Sequence, residues 1–84
     1  MANIKIVFFA SLREVTKCDE LELSLETPFT ILQIKQRLAE ELGQSVLLEE
    51  KVKAAIDFDF ARDDDLVDPA KVRELAFFPP VTGG

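Results

Sequence analysis

The stretch "ELELSLETPFTILQIKQRLAEELG", residues 20–43, changes its hydrophobic period halfway, and the fold follows from that change. Through Glu26 the period is two. Leu21, Leu23 and Leu25 point one way, while Glu20, Glu22, Ser24 and Glu26 point the other, as in a strand with one buried and one wet face. From Thr30 onward the period is helical, and Ile31, Ile34, Leu38 and Leu42 make one stripe. Thr30 as N-cap and Gln33 at N3 have capping-box spacing, and Phe29 and Ile34 match a hydrophobic staple. Gly43 supplies the stop, and Pro28 keeps strand and helix apart.

Working outward, "NIKIVFF" (3–9) reads as a strand with Ile4, Ile6 and Phe8 on one face and Lys5, Val7 and Phe9 on the other. The following "ASLREVTKCD" is long for a tight hairpin and predicts a loop or a single helical turn. Downstream, "QSVLLEEK" is ambiguous and fits a short second helix. "VKAAIDFDF" (52–60) alternates again, as one strand or a pair, with Val52, Ala54, Ile56, Phe58 and Phe60 opposite Lys53, Ala55, Asp57 and Asp59. Asp57 and Asp59 read as a solvated face, and "RDDD" (62–65) as a solvated turn. "ELAFF" (74–78) is a last strand, stopped by Pro79 and Pro80, neither of which can donate to a ladder. The order predicts an α+β roll: a mixed sheet of four to five strands with one main helix on one face. Residues 1–84 are expected to form a single domain, with 79–84 an extended C-terminal arm.

Composition narrows the chemistry. The 84 residues are 48% hydrophobic, which suits one small globular domain. The chain has one cysteine, Cys18, and no histidine. An internal disulfide, a zinc site and a Ser–His or Cys–His nucleophile are therefore excluded. A formal charge of −6 argues against nucleic acid, which needs a basic face. No apolar run reaches the roughly 18 residues of a membrane span, and a cytoplasmic location is expected.

The end of the chain, "AFFPPVTGG" (76–84), carries no charged side chain. Pro79 and Pro80 favour an extended path, and Gly83 and Gly84 make the segment as thin as a polypeptide can be. What such an arm presents is the main-chain carboxylate at its tip, suited to insertion into another protein's active site. A binding module that docks through its proline-containing tail is the other reading. Of Phe77 and Phe78, strand alternation puts at least one in the core and leaves the other to meet a partner.

"AFFPPVTGG", with "IKIVFFASLRE" near the start, closely resembles the small, sulfur-carrier subunit of molybdopterin synthase. The resemblance implies a β-grasp, ubiquitin-like fold. It further implies that a ubiquitin-activating-type adenylyltransferase uses ATP to adenylate Gly84, and that sulfur then replaces the adenylate to give a thiocarboxylate. The arm would enter the large catalytic subunit and donate sulfur to cyclic pyranopterin monophosphate, in a heterotetramer of two large subunits with one carrier on each. Gly84 would carry the sulfur and Gly83 keep the passage narrow. Pro79, Pro80, Val81 and Thr82 would thread the arm, and Phe77 or Phe78 dock the body. No cofactor is expected on the chain itself, no membrane partner, and no catalytic site complete without the large subunit. Thiamine-type carriers and ubiquitin-related modifiers share the Gly-Gly end, so that pair alone does not separate them. The chain departs from the family pattern at Asp57, where Asn is frequent, and at Val72 and Arg73, where a Gly-Asp turn is frequent. A longer or helical turn opened by Asp68 and Pro69 is expected there.

Overall fold

Strand and helix both form where residues 20–43 change period, in a computed structural model that describes residues 2–49 and 51–79. In chain order the elements are β1 (Ala2–Phe8), α1 (Ser11–Thr16), β2 (Glu20–Leu25), β3 (Phe29–Thr30) and α2 (Ile31–Leu42). A 3-10 turn (Ser45–Leu48), β4 (Lys53–Ile56), β5 (Asp59–Ala61), β6 (Leu66–Val67) and β7 (Glu74–Phe78) follow. The main sheet has the order β2-β1-β7-β4-β5. β1 and β7 run parallel at its centre, and every other pairing in it is antiparallel. One sheet face contributes Ile4, Ile6, Phe8, Leu23, Leu25, Leu75 and Phe77 to the core, and α2 contributes Ile31, Ile34 and Leu38. A mixed sheet grasping one main helix is the β-grasp architecture. No helix among the described residues is long and apolar enough to cross a membrane.

The local signals explain α2. The Gln33 amide donates to Thr30 Oγ1 at 3.1 Å, and the Thr30 amide donates to Gln33 Oε1 at 2.9 Å, closing the capping box. Gly43 adopts φ +67°, the left-handed conformation that a helix C-cap favours. Between β1 and β2 lies the expected short helical turn, α1. The ambiguous segment after α2 is the 3-10 turn.

Of the two readings of residues 52–60 the pair is the one formed: a hairpin, in which Asp57 (φ +47°) and Phe58 (φ +76°) make a left-handed two-residue turn. The turn breaks the alternation, so Phe58 and Phe60 leave the face of Val52 and Ala54 and stand 86% and 80% exposed. Asp57 is also no mere solvated acid: its Oδ1 accepts the Arg73 and Glu74 amides at 3.0 and 2.9 Å, tying the hairpin to the start of β7. The "RDDD" run is the solvated turn expected, and it also serves α2. Asp63 and Asp65 carbonyls accept the Leu32 and Ile31 amides at 2.9 and 3.0 Å, satisfying donors that the first turn of α2 leaves open. The turn before β7 is compact: Asp68 Oδ1 accepts the Ala70 amide, and its carbonyl accepts those of Lys71 and Val72.

That same run holds a buried charge. Lys35 on α2 has no exposed surface, yet its Nζ donates to Asp63 Oδ1 and to the Val52 carbonyl, both at 2.7 Å. Ion pair and carbonyl together satisfy the ammonium, so α2, the approach to β4 and the acidic run are fastened at one point.

Candidate partner-docking face at the root of the arm

Strand alternation divides Phe77 from Phe78. Phe77 points into the core, is 0% exposed and stacks on Phe8 with ring centroids 6.1 Å apart. Its expected part in docking is therefore corrected: its ring packs the interior. Phe78 lies on the outer sheet face, half-buried between two other rings. Phe9 stacks on it nearly parallel, at 4.8 Å and 6°, and Phe60 tilts against it at 5.8 Å and 50°.

The registers show why these rings meet. Parallel pairing sets Phe8 beside Phe77, so the next residues, Phe9 and Phe78, are neighbours on the opposite face. Antiparallel pairings set Lys53 opposite Phe78, Ala55 opposite Ala76, and Phe60 opposite Ala55. The alanines leave room for the rings to lie over them. Their small side chains are covered although they belong to the outer face. Phe60, Phe78, Pro79, Ala61, Lys53 and Arg62 line a groove of about 590 Å³ at the point where the chain leaves the sheet. Toward β2 the same face turns polar, with Lys5 paired to Glu20 at 3.0 Å and Glu74 at 3.9 Å. The hydrogen bond and charge of Glu20 hold the Lys5 ammonium above its ordinary pKa.

Of the expected site residues, Pro79 lies in this groove. Pro80, Val81, Thr82, Gly83 and Gly84 lie outside the described residues. Phe9, Phe60, Lys53 and Arg62 were not singled out from sequence. Phe9 carried a signal, since it falls on the face opposite the core residues of β1. Phe60 carried none, because Asp57-Phe58 lacks the Asn or Gly that marks a left-handed turn.

A mixed sheet clasping one main helix defines a ubiquitin-like β-grasp protein, here with an aromatic outer face at the end of its last strand. Comparison with known proteins agrees with it. The chain belongs to the ThiS family, whose sequence profile matches residues 6–84. It is 35% identical over 83 residues to the molybdopterin synthase sulfur carrier subunit of Escherichia coli, covering 96% of this chain and 99% of that one. Among solved structures it resembles small archaeal modifier protein 1 of Haloferax volcanii, at TM-score 0.78 and 19% identity over 96% of this chain and 100% of that one. It also resembles small archaeal modifier protein 1 of Methanosarcina acetivorans, at TM-score 0.73 and 22% identity, covering 100% of this chain and 98% of that one. At such identities the structural likeness speaks to the fold alone.

Proposed function

We propose that this chain is the sulfur-carrier subunit of a molybdopterin synthase, acting through the carboxyl group of Gly84. The observation that carries the reading is its 35% identity, over nearly all of both chains, to a curated carrier of that name. The aromatic face around Phe78, set at the root of "PPVTGG", supports it.

Each step follows from the chemistry of a carboxylate. A Gly84 carboxylate oxygen attacks the α-phosphorus of ATP on an adenylating partner, and pyrophosphate leaves. The acyl-adenylate is an electrophile with a good leaving group, so a sulfur nucleophile at the sulfide oxidation level displaces AMP and forms the carbon–sulfur bond of a thiocarboxylate. Docked on the large subunit, the arm presents that sulfur, ionised at neutral pH and strongly nucleophilic, to the pterin precursor. Covalent attachment replaces diffusing sulfide with a high effective concentration. Hydrolysis of the resulting acyl intermediate returns Gly84 to a carboxylate. The chain's own residues bind and orient, while the partners supply acids, bases and ATP.

The test is the intact mass of the chain after incubation with a ubiquitin-activating-type adenylyltransferase, ATP and a sulfur donor. The expected result is the gain of one oxygen-for-sulfur exchange, absent when Gly84 is deleted although the shortened chain folds. No mass change with an enzyme active on another carrier would reject the reading. Mass gain without sulfur transfer to the precursor, together with conjugates on lysines of other proteins, would identify a protein modifier instead.

A further inference from the structure

The outer face holds a second feature, not needed to explain the aromatic cluster. β4 and β5 pair Ala54 with Ala61. Lys53 precedes Ala54 and Arg62 follows Ala61, just past the end of that pairing, and both line the groove beside Phe78 and Pro79. Two like charges bordering one groove repel each other. They are also the wrong sign for local repair: among the described residues no carboxylate lies within ion-pair distance of either. Of the acids that follow Arg62, Asp63 pairs with the Lys35 ammonium, Asp65 Oδ2 accepts the Arg62 amide, and Asp64 is exposed. In a chain of net charge −6 this makes a cationic notch in the rim of an apolar face.

We propose that Lys53 and Arg62 form a two-cation clamp that receives a carboxylate from the protein docking on the Phe9–Phe60–Phe78 face. The inference rests on the carrier reading and specifies the partner's chemistry: an apolar residue to cover the rings, with an Asp or Glu beside it. Charge complementarity selects this occupant. A carboxylate seated between the two cations removes their mutual repulsion, and a partner that covers the rings shields the pair from water, so attraction there is stronger than between exposed charges. A rim clamp of this kind acts on partner choice and association rate more than on total affinity. It therefore gives this carrier a preference for partners with that acid, over those that meet the rings with an apolar surface alone.

The experiment measures binding to the large subunit encoded in the same genome, at low and at high salt. It uses wild type, K53M/R62M, which keeps the apolar stems, the charge reversal K53E/R62E, and Phe78→Glu. At low salt the neutral variant is expected to bind about tenfold more weakly, and the reversal more weakly still. The salt dependence of wild-type binding should shrink in the neutral variant, and both variants should melt no lower than wild type. Equal affinity and equal salt dependence across wild type and both charge variants, with Phe78→Glu defective, would overturn the clamp and leave the carrier reading standing. Failure of wild type to bind the large subunit would overturn both.

Discussion

Phe58 is held in a conformation that costs free energy. It occupies the left-handed region at φ +76°, where an ordinary side chain is disfavoured by about 1–2 kcal/mol, and its ring gains little in return at 86% exposure. Phe58→Gly removes that cost and adds roughly 0.5–1 kcal/mol of unfolded-chain entropy. The net expectation is a gain in stability of up to about 1 kcal/mol, read as a higher denaturant midpoint at unchanged slope. A loss instead would mean that the ring packs in solution. The same residue marks where sequence reasoning stopped. A turn of Asp and Phe carries no turn signature, so nothing in "VKAAIDFDF" announced that its second half would face outward. Thr30, Gln33 and Gly43, by contrast, have few other uses at their spacing, and they were legible at once.

Among the elements, α2 and the acidic run are coupled through Lys35, and the coupling is asymmetric. Asp63 keeps 35% of its side chain exposed and can regain water when its partner is removed; the Lys35 ammonium cannot. Lys35→Met should therefore cost about 1–3 kcal/mol, leaving the Val52 carbonyl without its donor. Asp63→Ala should cost more, about 3–5 kcal/mol less any relief from local opening, because it strands a buried charge. Chemical denaturation of both variants checks the order, and the reverse order would mean that the ammonium reaches solvent. From sequence, the helical stripe of Ile31, Ile34 and Leu38 was plain, yet it gave no hint that Lys35 turns inward beside it. Burial of a lysine depends on acceptors 14, 17 and 28 residues away, which only the closed fold brings together. The two-residue pair of β3 and β6 was hidden for the same reason, since elements so short have no period to detect.

Across the whole molecule the two sheet faces differ: one carries the core, and the other is the face proposed to meet a partner. Phe78→Glu changes the outer face only. It should leave the melting transition within a few degrees of wild type and weaken docking of the large subunit by about 2 kcal/mol or more, as loss of a central aromatic anchor does. A collapsed fold would show that the ring cluster supports the sheet. Phe77→Ala should do the opposite, destabilising by about 3–5 kcal/mol through a core cavity. Which phenylalanine does which was open in the sequence, because alternation fixes their opposition but not its phase. The phase is set by the parallel register of β7 on β1.

That parallel pairing has a mechanical side. The arm continues from the end of β7, and β7 lies between β1 and β4 in the middle of the sheet. A pull on the end of β7 along its own direction, as would follow if a partner drew the arm into a narrow channel, runs along the strand axis. It loads the hydrogen bonds to both neighbours in shear, all at once, where an edge strand peeled sideways would lose them singly. The Phe77–Phe8 stack and the Phe9 amide, which donates to the Phe77 carbonyl, sit at the loaded end and resist first. The fold is thus a handle as much as a body: it can be gripped by its face and tugged by its tail without coming unravelled.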